Sequence, residues 1–143
     1  MSNNDKEELI NNLKDIGRDF IGTQDYTEKY REEERTEKKT MAVLSYILPP
    51  IPFIAEKDSK YVKFHSIQGM NLLVWFIFLM LFVWVLDTAL PAWEGITDFL
   101  NIITILSYIV LVVIGVINAV NNKAKELPIV SKLNFITIVS DFF

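Results

Sequence analysis

Few residues in this chain have side chains able to do chemistry, and most of them lie in one stretch, residues 56–71 (EKDSKYVKFHSIQGMN). It holds the single histidine, His65, followed by Gln68 and Asn71 at spacings of three and three. On a helix these three form one polar strip. Lys57, Asp58 and Lys63 surround its start with alternating charge. Such a strip can take a lipid headgroup, an ion or a partner chain. The competing reading is structural: a helix cap and bundle contact that hydrogen-bonds the nearby turn at Pro49, Pro50 and Pro52. Prolines break the helical ladder, so carbonyls there need other donors. A second pattern repeats at spacings of three and four along residues 101–122: Asn101, Thr104, Tyr108, Leu111, Gly115, Asn118 and Asn122. Small and polar residues on one face of an apolar helix favour close packing on another helix, within the chain or between copies, or a water-lined path.

None of this adds up to a catalytic site. One histidine without a nucleophile or base-orienting partner makes no triad. With no cysteine there is no disulfide, thiol chemistry or thiolate metal site. No phosphate-cradling glycine loop is present. The reading therefore assigns no catalytic residues, no metal and no cofactor. The charge balance, 14 Lys+Arg against 18 Asp+Glu over 143 residues, gives no footprint for nucleic acid.

These residues must be positioned by apolar elements. Averages of 51% hydrophobic and 22% charged resemble a soluble domain, but 19 of the 32 charges fall in residues 1–40. Two regimes meet near residue 40. The expected fold class is all-α: a small polytopic α-helical membrane protein with two full spans plus one short Pro-broken re-entrant or kinked segment. Residues 1–40 form a charged cytoplasmic region. Within it, Leu9, Leu13, Ile16 and Phe20 make an amphipathic stripe over residues 5–20, and residues 24–40 read as a solvated helix or linker. Residues 41–143 form the membrane domain. Residues 41–55 are apolar but reach only about 22 Å as a helix, short of a ~30 Å hydrocarbon core. Residues 66–86 and 99–122 carry no charge and are long enough to span. Residues 127–143, with Lys132 and Asp141, read as an interfacial or partner-docking tail.

Lys and Arg counts in short loops set orientation. The loop 87–98 has none and belongs outside. Lys57, Lys60 and Lys63, then Lys123, Lys125 and Lys132, belong in the cytoplasm, as do Arg31, Arg35, Lys38 and Lys39. All these placements hold together if residues 41–55 enter and return. A kinked true span would put the N-terminus outside. The expected location is the cell (plasma) membrane, multi-pass, with both termini cytoplasmic.

The stretches MAVLSYI, IPFIAEKDSKYVKFHSIQGMNLLV and IGVINAVNNKAKELPIVSK resemble a family of small bacterial membrane proteins similar to the chloroplast import component, the twenty-kilodalton Tic channel subunit. The resemblance covers residues 41–135, with weaker likeness over GTQDYTEKY. It implies a link to protein or peptide translocation. Members often have Asn-Gly where this chain has Asn121-Asn122, and many carry a zinc ribbon whose cysteines are missing here. The leading expectation is a non-enzymatic membrane subunit or scaffold whose partners are the bilayer and another protein or a second copy. The alternative is a small homo-oligomeric channel or carrier.

Overall fold

The structure, a computed structural model, describes residues 2–21 and 24–130, and the side chains of all of these except 17–21. The tail beyond Val130 lies outside the described residues. Six α-helices account for most of the rest: α1 (Asn3–Ile21), α2 (Glu32–Glu37), α3 (Lys39–Ile47), α4 (Pro50–Ala55), α5 (Lys60–Ala89) and α6 (Glu94–Val120). Among the described residues there is no strand, only an isolated antiparallel bridge between Asp25 and Lys125.

The element boundaries follow from local chemistry. Pro49 bars Leu48 from helical backbone angles, so α3 stops at Ile47. Pro50 then opens α4, where its missing N–H costs nothing. Ser59 caps α5, its hydroxyl accepting from Val62 N at 3.2 Å. The Glu34 carboxylate adds negative charge at the same helix start. It accepts from Ser59 Oγ at 2.7 Å and from Tyr61 N at 3.3 Å. α5 ends at Ala89, two residues before Pro91. α6 ends in a Schellman motif: Asn122 takes φ 57°, its N–H bonds Ala119 O at 3.1 Å, and Lys123 N bonds Asn118 O at 2.9 Å.

α5 and α6 are long and apolar enough to cross a membrane. Length alone does not decide that reading, because core helices of soluble proteins pass the same test. Burial does: only 22% of the most apolar window of α5 and 6% of that of α6 is covered by protein. Phe78, Leu81, Phe82, Ile102, Leu106 and Ile109 all point outward. Exposed apolar surface of this extent needs a bilayer, not water.

The Pro-broken segment folds as a hairpin. α3 climbs beside α5 and α6, the chain turns at residues 48–49, and α4 returns. A straight helix over residues 39–55 would hold its ends about 25 Å apart. Instead Lys38 Nζ and Glu56 Oε2, which flank the segment, meet at 2.8 Å. The Glu56 carboxylate also raises the Lys38 pKa, so Lys38 is charged at neutral pH and its contribution to the pair is lost as pH rises through the raised value. At the other end of the bundle, Thr97 is buried and donates to Asp87 Oδ1 at 2.7 Å, which joins α5 to α6 across their loop.

Candidate functional site

The polar residues gather at one end of the bundle, where α5 begins and α6 ends. We call this end the base. His65, Gln68 and Asn71 are all buried there. His65 and Gln68 bond partners that lie away from the proline turn. The Tyr46 hydroxyl of α3 shares a 2.8 Å hydrogen bond with His65 Nδ1. Gln68 is taken by the chain after α6: its Oε1 accepts from Leu127 N at 2.8 Å and its Nε2 donates to Lys125 O at 3.3 Å. The proline turn needs the strip less than expected, because α4 resumes helical bonding at once. Pro49 is buried instead against Gly69, one residue past Gln68.

Close helix packing explains the two buried glycines. A Cβ on Gly69 would lie 1.9 Å from Ser45 O, so α3 backbone rests directly on α5. Ser45 Oγ and Ser66 Oγ bond at 2.9 Å beside this contact. A Cβ on Gly115 would lie 2.4 Å from the Tyr46 ring, which fills the space between α6 and His65. The remaining residues of the α6 face are half-buried. Tyr108 packs on Phe76 of α5 with ring centroids 4.4 Å apart, and Thr104 Oγ1 bonds Leu100 O of its own helix. Asn101 and Asn118 are partly covered. Leu72, Trp75, Phe76, Tyr108 and Leu111 line an apolar groove of about 230 Å³ between the two long helices, with Val130 also on its wall.

Residues 24–38, read from sequence as a solvated helix or linker, are docked on the base. Tyr26 N donates to Ala124 O at 2.8 Å, and Glu126 N donates to Gln24 O at 3.0 Å. Thr27 Oγ1 accepts from Ala124 N at 3.0 Å. Thr27 also bonds Asp25 through backbone and side chain, which holds the Asp25 carboxyl below the usual carboxylate range. Tyr26 and Tyr30 lay their rings on Phe64, and Tyr30 also on Tyr61, at centroid distances of 5.7–6.0 Å. Arg35 donates to Asn122 O at 2.9 Å and to Tyr30 O at 3.2 Å. The available signal was Tyr26 and Tyr30, four residues apart in an otherwise charged run.

Lys57 and Asp58 are exposed and Lys63 is half-buried. Asp58 borders an open charged cleft with Glu33, Glu34, Glu37 and Lys38. No group of three or more His, Asp or Glu side chains is arranged to hold a metal ion among the described residues.

The magnetosome magnetite crystal formation protein family (MamF/MmsF) matches residues 37–136. The chain belongs to that family. No curated protein and no solved structure matches it. The match covers α3 to α6 and the clamp after α6. It overturns the resemblance to the chloroplast import component, and the translocation link falls with it. The stretches that carried that resemblance, KDSKYVKFHSIQG and NKAKELP, are the two pieces that meet at the base through Gln68, Lys125 and Leu127. MamF/MmsF membership and the two exposed apolar helices make this a membrane protein.

Proposed function

We propose that this MamF/MmsF protein is a non-enzymatic integral component of the magnetosome membrane, in place of the plasma membrane expected from charge distribution alone. It acts as a scaffold during magnetite crystal formation. The observation that carries this reading is the division of labour in the fold. α5 and α6 turn apolar surface outward, while the polar side chains are locked into one packed base. α1 ends at Ile21, three residues before Gln24 is pinned to that base, and leaves Leu9, Leu13 and Ile16 about half exposed or more, at 48%, 59% and 58%. That uncovered stripe is the docking element for a protein partner.

A channel lined by Asn101, Thr104 and Asn118 has less support. Tyr46 fills the space over Gly115, Tyr108 stacks on Phe76, and the groove between the helices is apolar. A path for ions would need a continuous polar lining.

The base is cytoplasmic and residues 39–55 are re-entrant, supported by the Lys38–Glu56 closure and by the lysines at 57, 60, 63, 123 and 125. The chain has no cysteine of its own. Single cysteines placed at Glu28 and Lys60 should label from the same side with an impermeant reagent, and one at Glu94 from the opposite side. Labelling of Glu28→Cys and Lys60→Cys from opposite sides would refute re-entry.

The functional test uses magnetite-forming cells lacking this chain. The full chain should travel with crystal-bearing membranes and restore crystal size. A chain lacking residues 2–21 should reach the same membranes without restoring it. Recovery outside those membranes would sink the localisation, and full rescue by the truncated chain would sink the docking role.

A further inference from the structure

The apolar groove between α5 and α6 runs along α5 from Leu72 to Leu79 and along α6 from Leu111 back to Thr104. Its lining is incompletely covered: Leu79 is 39% exposed and Ile129 is 45% exposed. The described chain arrives at this groove. Leu127 is fully buried and held by Gln68, and Ile129 and Val130 already stand on the groove wall. A tight reversal brings them there. Val130 N donates to Pro128 O at 2.7 Å around Ile129, which takes φ 67°. A β-branched residue holds this left-handed conformation only where its surroundings impose it. The turn seats Val130, at 5% exposure, in the core that includes Leu72.

The sequence that follows is SKLNFITIVSDFF, residues 131–143. Its stretch 133–139, LNFITIV, carries no charge and has five apolar residues of seven. Backbone inside hydrocarbon must satisfy its own hydrogen bonds, so a segment entering the groove must do so as a helix. Seven helical residues rise about 10 Å, which matches the seven steps of α5 from Leu72 to Leu79. We propose that residues 133–139 of this chain fill the groove as a short helix laid against α5 and α6. Lys132 then stays at the base end, where its stem can carry the ammonium toward the headgroups. Asp141 falls past the far end of the groove. A lipid acyl chain would also suit an apolar groove. The tail has the advantage of a covalent tether at the groove wall, which gives it a high effective concentration there. The proposal rests on the bilayer position of α5 and α6 and not on the scaffold role.

The chain has no cysteine, so pairs can be introduced without background. Ser107 is exposed on the groove wall. In the full chain in nanodiscs, Ser107→Cys combined in turn with a cysteine at each of positions 133–139 should close an intramolecular disulfide on oxidation. Closure should recur at spacings of three or four and be lost between them. Failure of every pair would overturn the proposal. So would closure only between chains, which would make a second copy the occupant. Trp75 lines the same groove and reports on lipid. With Trp84→Phe and Trp93→Phe in place, brominated acyl chains should quench Trp75 weakly in the full chain. Ile136→Asp with Val139→Asp puts two charges on the tail, which should expel it from hydrocarbon. Quenching should then rise about twofold, as one side of the ring gains lipid contact. Quenching that is the same with and without the two aspartates would assign the groove to an acyl chain and overturn the proposal.

Discussion

Gly69→Ala is expected to unseat α3 from α5 and to destabilise the chain by about 3 kcal/mol, the upper end of overpacking costs. The new methyl would meet Ser45 O at 1.9 Å, and that oxygen is backbone. It can yield only if the whole helix shifts, which would pull Ser45 from Ser66 and Tyr46 from His65. Gly115→Ala should cost less, although its methyl would also be too close. The neighbour there is the Tyr46 ring at 2.4 Å, a side chain that can tilt once its bond to His65 is strained. Gly95→Ala meets nothing within 4 Å and should be neutral or slightly stabilising, since alanine is the better helix former. Thermal unfolding in one detergent would rank the three. A Gly69→Ala midpoint equal to that of Gly95→Ala would show that α3 does not rest on α5 as described.

The contrast between these glycines marks how far sequence can be read. Gly115 sits in a pattern of small and polar residues on an apolar helix, so its packing role is visible from spacing. What packs there is not: Tyr46 comes from the short segment whose path sequence left open between return and crossing. Gly69 carries no such pattern, because the contact is with backbone and leaves no side-chain signature. The long apolar helices were legible because a bilayer demands length and the absence of charge, and both can be counted. The tie across the base was not, because the bonds that fix the chain after α6 run between residues 57 to 102 positions apart, mostly from side chains to backbone. Backbone has no sequence identity, so Gln68 gave no hint that its partners were Lys125 and Leu127.

The N-terminal region shows a related asymmetry. The stripe of α1 is legible from its spacing, and the structure leaves Leu9, Leu13 and Ile16 uncovered. The adjoining charged run looked solvated because two tyrosines are diluted among acidic and basic residues. Those two rings, with the pairing of residues 24–27 against 124–126, convert a tether into a fixed attachment. On the docking role proposed for α1, this fixed attachment of residues 24–38 would reduce the ordering entropy lost when a partner binds.

The clamp itself gives the second large effect. Gln68→Leu should destabilise the base by about 3 kcal/mol, because it leaves Leu127 N buried and Lys125 O partly buried without partners. Leucine is close to glutamine in volume, so the loss would not come from a cavity. Leu127 is fully buried and Gln68 nearly so, at 6% exposure, which limits rescue by water. Release of residues 125–127 should propagate to residues 24–27, since Glu126 and Ala124 hold Gln24, Tyr26 and Thr27. Hydrogen exchange would show this as lost protection at Leu127, Glu126 and Tyr26 together, with protection in the middle of α5 unchanged. Gln68→Glu separates the two bonds: its carboxylate still accepts from Leu127 N but repels Lys125 O, so Leu127 should stay protected while the chain loses stability. If Gln68→Leu frees Leu127 alone and leaves Tyr26 protected, the docked segment is held by its tyrosines rather than by its backbone bonds to residues 124–126. The attachment of α1 would then be independent of the end of α6.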